Sequence, residues 1–175
     1  SGAAAAAVGV GIADAGSPGA AAPAAPDTRE EDTVPFYGLH QAGVQTPAQS
    51  AAAFCAFDLH ADVDAAALRR LLRLLSDDIA RMSAGRAALA DTAPELAAAP
   101  ARLTVTVGFG PSLFDKVGLA AARPAGFADL PAFPTIDRLD PTYGGGDLLL
   151  QICADDALVV AHAQRMLFKD TRAFA

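Results

Sequence analysis

Tyr143-Gly144-Gly145-Gly146-Asp147-Leu148-Leu149-Leu150-Gln151-Ile152-Cys153-Ala154-Asp155-Asp156 is the stretch on which the reading of this chain turns. Three glycines free the backbone, an apolar run follows, and two carboxylates open a new periodic segment. Physically this is a loop feeding a buried strand, Leu148 to Ala154, that ends at a helix N-terminus. Asp155 or Asp156 caps the helix, where the positive end of the helix dipole favours a carboxylate. Leu158, Val159, His162, Ala163, Met166 and Leu167 then follow helical spacing. Everything upstream supplies partners for that strand.

Working outward, the clearest partner is Leu103 to Phe109. Leu103, Val105, Val107 and Phe109 alternate with Thr104, Thr106 and Gly108, as in a strand with one buried face. Gly110-Pro111-Ser112 starts a short helix, with proline suited to its first turn, and Gly118 ends it. A further strand is expected at Ala53 to Leu59, with Cys55, Phe57 and Leu59 on one face. Asp62 and Asp64 are candidate N-caps for the helix after it. Leu68, Leu71, Leu72, Leu75, Ile79 and Met82 form that helix's apolar stripe. Arg69, Arg73, Asp77 and Arg81 recur on its other side, and Gly85 is the stop. Ala87 to Pro100 is a connector with weak helical tendency. Ala120 to Tyr143 is proline-rich and aperiodic, the mark of a functional loop or an ordered strap.

Without the short helix the order is βαββα. One more strand would complete βαββαβ, so the expected fold class is α+β, a ferredoxin-like split βαβ unit with an antiparallel sheet. The final strand is missing from this chain. Its place is beside the first strand, whose edge from Phe54 to Leu59 is therefore expected to be open and apolar. The natural chain is expected to continue past Ala175, or another chain to supply that strand.

The 175 residues suffice for one domain, and the formal net charge of -7 argues against a nucleic-acid footprint. Residues 1–33 are expected to lie outside the fold, as an export-signal remnant and disordered linker, with the domain over 34–175. Gly2 to Ala13 is apolar but too short to span a membrane, and the small residues from Ala20 to Ala25 resemble a signal-peptidase site. A plain disordered Ala/Pro tail is the other reading. Val34 to Pro47 contains Phe36, Tyr37, His40 and Gln41 among prolines and glycines. This is read as a capping strap docked on the domain, with His40 satisfied by backbone carbonyls, the alternative being a surface loop that carries function.

The residues alone reveal no active site. His40, His60 and His162 lack two-ligand spacing, so a zinc site is not indicated. His162 is read as a hydrogen-bonded structural histidine rather than a ligand or base, and His60 as exposed. Gly144 to Gly146 lacks the lysine that a phosphate cradle needs. Cys55 and Cys153 are read as two reduced, buried thiols, the alternative being a bond between neighbouring strands.

Several blocks together resemble the opening of exported dye-decolourising peroxidases. They are Phe36-Tyr37-Gly38 with His40 to Val44 and Thr46-Pro47; Phe57-Asp58-Leu59; Leu103 to Gly110; Leu130-Pro131-Ala132-Phe133; and Gly145 to Asp156. The resemblance implies the N-terminal, non-catalytic half of a haem b enzyme in which hydrogen peroxide is reduced and a dye or other organic donor is oxidised. It implies export by the twin-arginine route and a partner in the haem-binding half of the same protein. This half would wall the haem pocket and support oligomer contacts, with no nucleic-acid partner and no stable membrane insertion. The distal Asp of a Gly-x-x-Asp-Gly motif, the distal Arg and the proximal His are all expected beyond Ala175. Leu167-Phe168-Lys169-Asp170-Thr171 lacks both glycines of that motif, so Asp170 takes no distal role. His162 is not assigned as a haem ligand, and His40 and Gln41 receive no catalytic role. A non-enzymatic ferredoxin-like module binding or oligomerising through its open edge is the alternative.

Overall fold

The computed structural model describes residues 30–175. The expected export-signal remnant falls almost wholly on residues 1–29, outside the described residues. Three strands, β1 (Ala51–Phe57), β2 (Thr104–Phe109) and β3 (Leu148–Ala154), form one antiparallel sheet in the order β1-β3-β2. The opening stretch thus forms the central strand, at the bounds read from sequence. β1 lies at one edge, as expected of a ferredoxin-like unit lacking its fourth strand. Three helices complete the fold: α1 (Ala65–Ser83), α2 (Pro111–Lys116) and α3 (Ala157–Thr171).

The register places Cys55 opposite Leu150 and Leu150 opposite Val107. Because side chains alternate along a strand, Ala53, Cys55, Phe57, Leu148, Leu150, Ile152, Val105 and Val107 share one face. That face packs on α1 and α3. Leu68, Leu71, Leu75, Ile79 and Met82 of the predicted stripe are buried, and Leu72 is half-buried. Phe57 meets Phe168 of α3 edge to face, ring centroids 5.2 Å apart. Asp64 rather than Asp62 caps α1, accepting from the Ala67 N–H at 2.7 Å. Asp156 caps α3 through the Leu158 N–H, which frees Asp155 to pair with Arg102 at 2.9 Å.

Several expectations need correction. β1 ends at Phe57, not Leu59, because the Leu59 N–H is drawn out of the ladder by the Asp147 carboxylate at 2.8 Å. β2 starts one residue late, at Thr104. Ala101 and Arg102 precede it with φ of 44° and 58°, a conformation costly for non-glycine residues. Three bonds hold that turn: Arg102 N–H to Asp32 C=O, Leu103 N–H to Pro100 C=O, and Asp155 N–H to Ala101 C=O. The two thiols are free, but only Cys55 is buried; Cys153 is half-buried. Cys153 pairs in register with Ala52, three residues from Cys55, so the thiols lie on opposite sheet faces and cannot bond.

Candidate functional site

The strap from Thr33 to Gln49 wraps around β2. Phe36 packs against the core on the helix side, and Ala42 and Gly43 reach the other face, where the Ala42 C=O accepts from Thr106 Oγ1 at 2.8 Å. At the edge itself, Gln41 Nε2 donates to the Val107 C=O at 3.0 Å and Gln41 Oε1 accepts from the Val107 N–H at 2.9 Å. One side-chain amide thus replaces a neighbouring strand. The strap was expected, but its anchor is Gln41 and not His40, which is exposed at the rim of a groove of about 440 Å³ floored by Leu72, Leu75 and Ile79. Gly43 lets the strap lie this close: a Cβ there would fall 2.3 Å from Thr106 Oγ1.

Three polar centres are buried in the domain. In the first, Asp147 joins the ends of β1 and β3 to α2. Its carboxylate accepts from the Leu59 N–H, from Ser112 Oγ at 2.7 Å and from Lys116 Nζ, which also donates to the Leu59 C=O at 3.0 Å. Burial pushes the Asp147 carboxyl up, but Lys116, Ser112 and the Leu59 N–H outweigh it and hold the group below its usual range. In the second, the His162 ring nitrogen Nε2 lies 3.2 Å from Asp91 Oδ1 and 3.1 Å from Asp91 Oδ2. Asp91 also accepts from the Ala93 N–H at 2.9 Å, so the pair fastens the connector to α3. Burial again pushes upward, and the Ala93 N–H, His162 and Arg165 hold the Asp91 carboxyl below its usual range. His162 is thereby the structural histidine read from sequence, and His60 is exposed as read. The third centre pairs Asp78 of α1 with Asp170 of α3. In the first two centres, donors and acceptors turn toward each other and serve as fasteners. Among the described residues, no group of three or more His, Cys, Asp or Glu could hold a metal ion.

The outward-facing surface is different. On the sheet face away from the helices, Phe54 is 68% exposed beside Ala56 and Leu149. With Tyr143 and Gly144 to Gly146 they bound a hollow of about 490 Å³. Residues 119–143 form an arm, a chain of tight turns that starts against α2, where Phe127 meets Phe114, and ends with Thr142 and Tyr143 at this hollow. Phe133 N–H donates to Asp137 Oδ2, Asp137 N–H to the Phe133 C=O, and Thr142 N–H to Asp140 Oδ1, each at 2.8 Å. Among the described residues, the hydrogen bonds of 128–143 all close within the arm. Leu130 (90%), Ile136 (81%), Leu139 (71%) and Tyr143 (87%) stand in solvent. An arm pre-folded by its own bonds, with its apolar side chains turned outward, is built for contact.

The family model described as Dyp-type peroxidase, N-terminal, matches residues 41–175. The chain belongs to the DyP-type peroxidase family. The deferrochelatase of Escherichia coli K12 is 43% identical over 157 residues, a match covering 83% of this chain and 36% of the relative. Among solved structures, the DyP-type peroxidase from Cellulomonas bogoriensis is 50% identical with a TM-score of 0.78, covering 81% of this chain and 39% of that one. Ferric DtpA from Streptomyces lividans is 43% identical with a TM-score of 0.75, covering 81% and 38%. The chain therefore spans less than two-fifths of the length of these DyP-type relatives, and it aligns with their α+β N-terminal part.

Proposed function

We propose that this chain is the N-terminal, structural half of a haem-dependent peroxidase of the dye-decolourising kind. In that enzyme hydrogen peroxide is reduced and a dye or other organic donor is oxidised. The observation that carries this reading is the apolar surface formed by the arm and the open sheet face. A domain that buries its helix-side face well but exposes Phe54, Leu130, Ile136 and Tyr143 is shaped to cover another body. The body proposed is the haem-binding half of the same protein, which the family relatives carry in the remaining length. Supplied with haem b, that half performs the redox chemistry; this half walls the pocket and contributes oligomer contacts.

The histidines support placing the haem ligand elsewhere. A ligating histidine normally has its second ring nitrogen held by another group. His162 does have its Nε2 on the Asp91 carboxylate, but its side chain is only 3% exposed, sealed between the connector and α3, and presents no ring nitrogen to a cofactor; among the described residues the side chains of His40 and His60 have no such partner. The residues present do not fit haem. Titrating haem into the 175-residue chain is therefore expected to give no tight, stoichiometric Soret band and no peroxide-dependent dye bleaching. Both are expected of the polypeptide extended to the relatives' length. A stoichiometric Soret band from residues 1–175 would overturn the reading.

Export by the twin-arginine route is part of the proposal, supported by the apolar Gly2 to Ala13 and the small residues from Ala20 to Ala25. No helix among the described residues is long and apolar enough to cross a membrane. Cell fractionation of the natural-length product tests it. The free edge of β1 favours one second reading, a non-enzymatic module that pairs through that edge; a stable monodisperse dimer without any haem-binding extension would support it.

A further inference from the structure

The third polar centre is built from two acids. Asp78 is 1% exposed and Asp170 is 8% exposed, on two helices that pack directly against each other. Asp78 Oδ1 accepts from the Leu89 N–H at 2.8 Å. The second oxygen of each carboxyl, Asp78 Oδ2 and Asp170 Oδ2, is buried with no protein donor on it. Two carboxylates cannot both be charged in such a seam without repulsion and lost hydration. A single proton held between them converts two unpartnered acceptors into one hydrogen bond.

We propose that Asp78 and Asp170 share one proton and so form a latch that fastens the last turn of α3 to α1, and that loss of this proton loosens it. The surroundings leave the pair to itself. β3 turns apolar Leu148, Leu150 and Ile152 to this side of the sheet, and β1 turns Cys55, whose thiol burial pushes up and keeps neutral. The connector offers the Leu89 N–H to Asp78 and commits Asp91 to His162. Lys169 is the cation acting on Asp170, and its Nζ is engaged by the Ala90 C=O at 2.6 Å. Burial above all, then the charge and hydrogen bond of Asp78, raise the Asp170 carboxyl to about 7 against the opposing pull of Lys169.

The latch sits where the chain leaves α3. The Thr171 C=O accepts from the Phe174 N–H at 2.8 Å, and the Phe174 C=O accepts from the His60 N–H at 2.8 Å, just past the end of β1. Loosening the last turn therefore loosens the tail beside the free β1 edge. The sign follows from linkage. A carboxyl whose folded value is raised stabilises the closed form fully below its ordinary value near 4, and that stabilisation is lost as pH rises toward about 7. Above that, the loss is complete and the effect levels off.

Hydrogen exchange by mass spectrometry, corrected for the intrinsic pH dependence of amide exchange, tests this on the polypeptide at its natural length. Peptides covering 75–90 and 166–175 are expected to lose protection by roughly tenfold or more between pH 5 and 7, then level off. β3 peptides serve as the internal reference. Asp170→Asn supplies a permanent N–H donor to Asp78 and removes the titrating proton, so that variant should hold its protection through pH 8, whereas Asp78→Asn removes only the charge of Asp78, leaves Asp170 buried, and should make the fall smaller than in the wild type. A wild-type chain with no such fall, or an Asp170→Asn chain that falls as the wild type does, would overturn the latch. Asp78→Asn keeps the test decisive if the other variant folds poorly.

Discussion

The Asp147 carboxylate accepts from a backbone N–H, a hydroxyl and an ammonium that come from three different segments. Asp147→Asn keeps the size of the side chain but leaves Lys116 without its counter-charge, and is expected to cost about 2–3 kcal/mol at neutral pH. Because the folded-state carboxyl lies below its usual range, its contribution is fully present above the ordinary value near 4 and is lost as pH falls through the depressed one. Urea denaturation should therefore show the gap between wild type and variant narrowing as pH falls below about 4. A gap unchanged by acid would refute the charge-based account. At this scale the sequence was legible for capping residues and opaque for buried acids. Asp64 and Asp156 announce themselves by position before a helix. Asp78 lies next in sequence to Asp77, whose spacing with Arg73 and Arg81 marks the polar side of α1. One residue rotates a helical side chain by about 100°, enough to carry Asp78 from solvent into the seam. Asp170 carries no local signal of its pairing, since its partner lies 92 positions upstream and no local pattern links them.

Among elements, the strap tests what a single amide can do. Gln41→Ala removes both bonds to Val107 and is expected to cost about 1–2 kcal/mol, with the Val107 amide exchanging roughly tenfold faster. Gln41→Glu can still accept from the Val107 N–H but cannot donate to its C=O. That variant should keep the amide protected while losing part of the stability. Equal exchange in the two variants would show that the amide does not seal the edge. Strands and helices were readable because periodicity and caps are local: β3 matched its bounds, and the α1 stripe named its buried residues. The far end of β1 was not readable, since Leu59 leaves the ladder for a carboxylate 88 positions away. That Gln41 and not His40 is the anchor is hidden for a related reason. Which of two neighbouring polar side chains meets an edge depends on how the strap lies on β2, and composition cannot say.

For the whole molecule, the arm separates folding from assembly. Leu130→Asp and Ile136→Asp together change side chains already in water, so the stability of the domain itself should move by no more than about 0.5 kcal/mol. In a polypeptide of the relatives' length, the same pair should weaken the seam by about 2 kcal/mol or more. Limited proteolysis reads this directly: the arm should resist cleavage in the wild type and be cut in the variant. Equal resistance would show that the arm is not buried by the second half. The arm's position in the sequence was visible from its prolines and lack of period, but its outward display was not, because an exposed apolar residue and a core residue are spelled alike.

The two margins of the sheet also differ in valence. The β2 margin is occupied at Val107 by Gln41, whereas β1 is the outermost strand at the other. At Val107 a visiting strand would have to displace the amide before it could pair, so the strap turns one rung of an otherwise unpaired margin from an invitation into a toll.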